Sequence, residues 1–138
     1  MADKGGCNIV NIASIAGTQV TLESPSYHAS KAALIQTTKY LAVMGGVYKA
    51  RVNSILPGFI VQEEHKKHYE SKNNESYRYL SMNYQPLGKV GTEEDIANAV
   101  CFLVKDESSY ISGQCLILDG GTTIQEPWGL LYQHSQKS

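Results

Sequence analysis

Three side chains, Ser14, Tyr27 and Lys31, have the types and spacing suited to proton transfer. Tyr27 and Lys31 lie four residues apart in an alanine-rich stretch, so a helix would place both on one face. An ammonium beside a phenol favours the phenolate, and such a tyrosine can pass a proton to or from a substrate oxygen. Ser14 follows the apolar run Asn8–Ala13 and could hydrogen-bond the same oxygen. Taken alone, the Tyr27–Lys31 pair is more typical of an ordinary surface contact on a helix than of a catalytic pair.

The elements that must position these residues alternate along the chain. Apolar runs predict strands over Cys7–Ala13, Arg51–Leu56 and Cys115–Asp119, and the first of them is expected to be buried. Helical periodicity predicts a helix from about Ser26 to Met44 and a second helix that begins at Thr92. Continuous apolar strands separated by helices favour an α/β fold, with a parallel sheet of about three strands flanked by helices.

Apolar residues recur at helical spacing in both predicted helices. On the second helix, Ile96, Val100 and Leu103 form a predicted buried stripe. On the first helix the recurring apolar residues are Ala29, Ala33, Leu34, Leu41 and Met44.

The segment Gln62–Tyr84 is polar and rich in tyrosine, and it is predicted to be a partly helical, mobile flap. Its tyrosines either line a substrate pocket or pack the flap, and the sequence does not decide between the two. His65 and His68 lie among acidic and basic neighbours, which is more typical of a solvated helix face than of a metal site, so no metal is predicted. The four tyrosines are Tyr69, Tyr77, Tyr79 and Tyr84.

Composition limits the class of partner. The 138 residues carry a formal net charge of -1, which gives no electrostatic case for nucleic acid or an anionic membrane surface. The three cysteines are widely spaced without a CxxC pair, as expected in a reducing compartment. No apolar run approaches the roughly 18 residues that a membrane-spanning helix needs. A soluble, cytoplasmic protein is expected.

Five groups of motifs occur in the order and spacing of one known protein family. They are Asn11–Gly17, Tyr27–Lys31, Val52–Ile60, Pro86–Gly91 with Glu94–Ala97, and Tyr110–Gln114 with Asp119–Gly121. Together they resemble the second half of the short-chain dehydrogenase/reductases. A YxxxK pattern alone occurs often by chance, so the resemblance depends on the whole series.

The resemblance implies hydride transfer between a nicotinamide cofactor and a carbonyl or alcohol carbon. Tyr27 would be the general acid in reduction and the general base in oxidation. Lys31 would favour the phenolate, and Ser14 would orient the substrate oxygen. A sugar-nucleotide epimerase shares the tyrosine–lysine pair but fits the Pro57-Gly58 and Asp119–Gly121 segments less well.

The resemblance also implies a binding site for NAD or NADP. Tyr27 and Lys31 would contact the nicotinamide ribose, and Pro57, Gly58 and Ile60 would lie beside the nicotinamide. The choice between NAD and NADP is normally set near the family's second strand, for which this sequence has no counterpart.

The resemblance covers residues 1–121 as the C-terminal part of a Rossmann-like domain and leaves 122–138 as a tail. No glycine-rich phosphate loop is found, since Gly5-Gly6 precedes the first strand and Gly45-Gly46 follows a helix. The sequence is therefore expected to be a Rossmann-like remnant of a longer protein that binds cofactor poorly alone. It is expected to form a homo-oligomer or to associate with a missing N-terminal half. The alternative is a non-catalytic fragment of this family that dimerises or binds a partner.

Overall fold

The computed structural model describes residues 6–129 and residue 132. Its backbone divides into two compact units. The sheet unit comprises the described residues up to Pro57 together with Glu94–Leu118. The flap unit comprises Gly58–Glu93 and the described residues from Asp119 onward. The predicted boundary at residue 121 therefore falls inside the second unit, and the tail from 130 onward, Tyr132 excepted, lies outside the described residues.

Four helices and five strands are defined within the described residues. The strands are β1 (Asn8–Ile12), β2 (Arg51–Pro57), β3 (Ile60–Val61), β4 (Gly91–Thr92) and β5 (Cys115–Leu118). The helices are α1 (Pro25–Gly45), α2 (Glu63–Tyr69), α3 (Glu75–Asn83) and α4 (Glu93–Val104).

The sheet unit contains a parallel sheet with the strand order β1-β2-β5. Ile12 lies opposite Ile55, and Ser54 lies opposite Cys115. The predicted α/β fold, with a small parallel sheet of three strands and flanking helices, is confirmed. The parallel pair β3-β4 in the flap unit was not predicted, because strands of two residues have no periodicity to detect.

The central strand β2 forms the core of the sheet unit. Val52, Ile55 and Leu56 are buried, and so are the polar residues Asn53 and Ser54 between them. The Asn53 side chain donates to the carbonyl oxygen of Ile111 at 2.9 Å and accepts from the backbone N–H of Gln114 at 3.0 Å. A buried amide satisfied in this way costs little, and it fixes the loop that enters β5.

The edge strand β1 is less buried than its apolar sequence predicts. Ile9 and Ile12 are 41% and 42% exposed, so the expectation of a buried strand is wrong. The physical reason is position, because within the described residues β1 pairs on one side only, with β2.

The long helix α1 packs through a face that its apolar pattern does not reveal. Ile35 and Thr38 are buried, whereas Leu41 and Met44 are exposed. Thr38 is tolerated there because its hydroxyl donates to the Leu34 carbonyl at 2.8 Å and accepts from the Asn11 side chain at 2.9 Å. On α4, the predicted stripe consists of buried Leu103 with half-buried Ile96 and Val100.

The flap unit is partly helical, as predicted. A 3-10 turn, Lys72–Asn74, joins α2 to α3. The hydroxyls of Tyr69 and Ser81 hydrogen-bond at 2.8 Å and connect the two helices. No helix within the described residues is long and apolar enough to cross a membrane.

Candidate functional site

Ser14 lies just beyond the carboxyl end of β1, where the chain leaves the sheet. Its backbone is extended, and its Oγ accepts a hydrogen bond from the backbone N–H of Ala16 at 3.1 Å, which caps the 3-10 turn Ile15–Gly17. Because this bond uses the oxygen as acceptor, the hydroxyl proton of Ser14 can be donated to another group. The local capping role and a role toward a substrate oxygen are therefore compatible.

Tyr27 and Lys31 project from the first two turns of α1. Pro25 occupies the first helical turn, and the Ser24 hydroxyl caps the helix by accepting from the backbone N–H of Tyr27 at 3.3 Å. The Lys31 ammonium lies 5.4 Å from the centroid of the Tyr27 ring, and it donates to the carbonyl oxygen of Ile12 at 3.1 Å. This bond ties the helix to the last residue of β1, two residues before Ser14.

Gly17 lets the turn after Ser14 approach α1 closely. A Cβ at Gly17 would come 2.8 Å from the carbonyl carbon of Lys31 and 2.6 Å from Cδ1 of Ile35. The absence of a side chain therefore permits the backbone after Ser14 to lie against the backbone of Lys31. The structure thus brings the three predicted residues to the carboxyl end of β1, the end at which open α/β sheets bind ligands.

The three other predicted residues lie at the end of β2 or just after it. Pro57 is the last residue of β2, in register with Leu118 of β5, and it belongs to the sheet unit. Gly58 and Ile60 belong to the flap unit. A Cβ at Gly58 would come 2.7 Å from Cβ and 2.8 Å from Cα of Asp119, so only glycine fits without a shift.

Asp119 stabilises the turn that contains Gly120 and Gly121 in the flap unit. Its carboxylate accepts from the backbone N–H groups of Gly121 at 2.9 Å and Thr123 at 2.7 Å. Burial raises the pKa of the Asp119 carboxyl, but the hydrogen bonds from Thr123 and Gly121 outweigh it and hold the pKa below its ordinary value. Gly120 and Gly121 have φ angles of 65° and 90°, which favour glycine.

A cavity of about 410 Å³ opens in the flap unit, for which the sequence left open whether the tyrosines line a pocket or pack the flap. Phe59, Tyr69 and Tyr77 form one of its walls, with ring centroids 5.8–6.5 Å apart and two of the three pairs edge-to-face. The same set of lining residues includes His65, His68, Ile60, Val61, Gln62 and Asn74.

Two of the four flap tyrosines, Tyr69 and Tyr77, thus line this cavity, whereas Tyr79 and Tyr84 do not. Phe59 could have been suspected from the sequence because it directly follows Pro57-Gly58. Its contact with Tyr69 and Tyr77 could not, because those residues lie far from it along the chain. Within the described part of the chain, no group of three or more His, Cys, Asp or Glu residues is arranged to hold a metal ion.

Proteins similar in sequence to this chain include dehydrogenases and reductases. The family model described as enoyl-(acyl carrier protein) reductase matches residues 1–123. The 7alpha-hydroxysteroid dehydrogenase of Bacteroides fragilis is 35% identical over 127 residues, which cover 92% of this chain and 48% of the relative. The 3-oxoacyl-[acyl-carrier-protein] reductase of Rickettsia felis is 42% identical over 113 residues, which cover 82% of this chain and 45% of the relative.

Solved structures agree with the sequence relatives. A short-chain type dehydrogenase/reductase from Mycobacterium ulcerans superposes with a TM-score of 0.77 at 32% identity, covering 91% of this chain and 45% of that one. A 4-hydroxyisoleucine dehydrogenase complexed with NADH gives a TM-score of 0.73 at 34% identity, covering 86% of this chain and 47% of that one. The chain spans about half the length of the curated relatives it matches. Because the family model covers most of the sequence and the sheet has the relatives' fold, this chain belongs to the short-chain dehydrogenase/reductase family.

Proposed function

We propose that the chain carries the catalytic residues of an NAD(P)-dependent oxidoreductase that acts on a small carbonyl or alcohol substrate. The observation that carries the proposal is the position of Lys31, whose ammonium lies beside the Tyr27 ring and is fixed by the Ile12 carbonyl. The oxidoreductase class itself follows from the family.

Each residue of the triplet has a distinct part in the proposed reaction. Tyr27 gives its phenolic proton to the carbonyl oxygen during reduction and takes the alcohol proton during oxidation. Lys31 places a positive charge beside the Tyr27 ring. The Ser14 hydroxyl donates a hydrogen bond to the substrate oxygen and holds it near Tyr27. The nicotinamide cofactor, when bound, supplies or accepts the hydride.

The donor groups of the sheet unit fit a nicotinamide cofactor. An ammonium has three N–H donors, and the bond to Ile12 uses one of them, which leaves donors suited to the hydroxyls of a ribose. Tyr27 and Lys31 would hold the ribose, and Pro57, Gly58 and Ile60 would lie beside the nicotinamide. An NAD-dependent glycerol dehydrogenase of Listeria innocua is 38% identical over 91% of this chain, which supports the cofactor class and leaves the choice of NAD or NADP open.

The cavity of the flap unit is our candidate for a substrate-binding pocket. Aromatic rings from Phe59, Tyr69 and Tyr77 provide apolar surface, and His65, His68 and Asn74 provide polar groups at the same cavity. Ligand pockets commonly combine an apolar lining with a few polar groups in this way.

The test is a titration of the purified chain with NADH and NADPH, followed by turnover of Tyr27→Phe. We expect weak but saturable binding by the lone chain, and a loss of its turnover by a factor of about 100 or more in the variant, because the proton donor is removed. Tyr40→Phe is the matched control, since Tyr40 lies exposed on the same helix. Undiminished turnover by a folded Tyr27→Phe protein would overturn the assignment of the acid–base residue.

A second candidate function is assembly through β1, favoured by its exposed edge. We propose that a second copy of the chain, or a chain with the glycine-rich half of the family's fold, pairs with this strand. Val10→Lys should then abolish association, as judged by light scattering, because charge on an edge strand opposes pairing. Tyr27→Phe should leave association unchanged. A non-catalytic fragment would show association without cofactor binding.

The proposed domain organisation follows from these two functions. Residues 1–121 would form the C-terminal part of the family's dinucleotide-binding domain, and 122–138 a tail. Limited proteolysis of the chain with and without NADH checks this boundary, because a tail outside the domain is cleaved equally in both conditions.

A further inference from the structure

The segment Thr18–Ser24, here called the strap, links the turn after Ser14 to the helix that carries Tyr27. Little packing holds it, since Val20 is 93% exposed and Leu22 is fully exposed. Hydrogen bonds therefore contribute more than packing to where the strap lies. At its start, the Thr18 hydroxyl donates to the Ile15 carbonyl at 2.8 Å, and the Gln19 N–H donates to the same carbonyl at 3.1 Å. At its other end, the Ser24 carbonyl accepts from the backbone N–H of His28 at 3.2 Å, and the His28 imidazole adds further bonds.

His28, the residue after Tyr27, bonds the strap through both ring nitrogens. Nε2 lies 2.9 Å from the backbone N of Thr21 and 3.2 Å from the Thr21 hydroxyl oxygen. Nδ1 lies 2.8 Å from the carbonyl oxygen of Ser24. A backbone N–H can only donate and a backbone carbonyl can only accept, so Nε2 is the acceptor and Nδ1 carries the proton. The ring is therefore neutral, in a defined tautomer.

We propose that His28 is a positioning residue that fixes the strap against the first turn of α1 and thereby orients Tyr27. Its two partners divide the task. The bond to Thr21 holds the middle of the strap, and the bond to Ser24 holds the residue whose hydroxyl caps the helix at the Tyr27 N–H. This role extends the proposed function to a residue outside the triplet, and only its kinetic consequence depends on that function.

Two variants separate the hydrogen bonds of His28 from its bulk. His28→Phe keeps a ring of similar size but removes both bonds, so the Thr21 amide should exchange with solvent about tenfold faster. His28→Gln retains an acceptor oxygen and a donor N–H on one planar group, and it should restore most of the protection. Gln36→Ala, at an exposed position on the same helix, is the control and should leave the Thr21 amide unchanged. The exchange rate of the buried Leu56 amide reports whether each variant is folded.

The position of Tyr27 provides a second readout that needs no activity. The NMR signals of its ring should shift in His28→Phe and return toward the original values in His28→Gln. Unchanged Thr21 exchange, or unchanged Tyr27 signals, in folded His28→Phe would overturn the proposal, and so would a proton found on Nε2 by nitrogen shifts.

Kinetics then separate this proposal from the proposed function. With both NMR effects present, a drop in kcat for His28→Phe that His28→Gln rescues supports the two together. An original chain without turnover, in which the NMR effects are present, refutes the catalytic proposal for the lone chain and leaves the positioning role supported.

Discussion

The sheet unit buries apolar as well as polar residues, whereas the buried residues described in the flap unit are all polar. The sheet unit buries Val52, Ile55 and Leu56 beside polar residues such as Asn53, and the buried residues of the flap unit are Gln85, Asp119 and Thr122. Burial of apolar side chains stabilises a unit without requiring a particular contact geometry. Burial of polar side chains stabilises it only where each hydrogen bond is made. The candidate catalytic triplet lies in the first kind of unit and the candidate substrate cavity in the second.

The largest expected effect comes from Leu56→Ala, which should destabilise the sheet unit by about 2–5 kcal/mol because it leaves a void beside Ala13 and Ile35. Chemical denaturation measures it. Val43→Ala, at an exposed position on α1, should change the free energy of unfolding by less than about 0.5 kcal/mol. Equal effects of the two substitutions would contradict the location of the core.

Asp119→Asn should destabilise the flap unit by about 1.5–3 kcal/mol, because a charged acceptor of two backbone N–H groups is lost. Since the pKa of Asp119 is lowered in the folded chain, its stabilisation is present above the unfolded pKa of about 3.9 and is lost as pH falls through the folded value. Hydrogen exchange at the Thr123 amide, measured between neutral and acidic pH, reports the effect.

The control for the Asp119→Asn prediction is how the difference in Thr123 amide exchange between the original chain and the variant depends on pH. The original chain and Asp119→Asn should differ at neutral pH and converge at low pH. A difference that stays constant across this range would show that the charge of Asp119 contributes nothing to the flap unit.

Gly17→Ala should cost about 1–3 kcal/mol, because the new Cβ meets the backbone of Lys31 and the side chain of Ile35. The Lys31 side chain should also move, which would lower turnover. Gly46→Ala is the matched control, since its Cβ meets nothing within 4 Å and its backbone is helical. That control should be neutral or slightly stabilising. Thermal unfolding of both variants tests whether the close approach of the turn to α1 is needed.

The smallest effect is expected for Tyr77→Leu, about 0.5–1.5 kcal/mol, because the edge-to-face contacts with Phe59 and Tyr69 are lost. Tyr79→Leu, at an exposed position on the same helix, should have almost no effect. If the cavity binds substrate, Tyr77→Leu should raise KM more than it lowers kcat. A pure loss of stability with unchanged KM would assign the aromatic cluster to packing alone.

Features with a local cause were predictable from the sequence, and features that depend on distant partners were not. The apolar runs placed the three sheet strands to within two residues, and Pro25 and Gly45 fall at the ends of the observed α1. The prediction that β1 is buried was wrong, because the burial of a strand depends on which strands lie beside it. The buried face of α1 was missed because Thr38 is polar, and its partner Asn11 lies 27 residues away.

The candidate site shows the same limit. The spacing of Tyr27 and Lys31 predicts that they share a helix face, but the carbonyl of Ile12 as the anchor of Lys31 is visible only in three dimensions. The role of His28 also escapes the sequence, since a histidine beside a tyrosine has no pattern that identifies two backbone partners.

The strand order β1-β2-β5 has a consequence for how the chain folds. Pairing Ile12 with Ile55 closes a loop of about 40 residues, and pairing Ser54 with Cys115 closes one of about 60, so neither contact forms locally. Helix α1 can form early and reduce the entropic cost of closing the first loop. The second loop contains the whole flap segment, so pairing β5 with β2 costs more entropy. We therefore expect β1, α1 and β2 to assemble first and the docking of β5 to limit the folding rate.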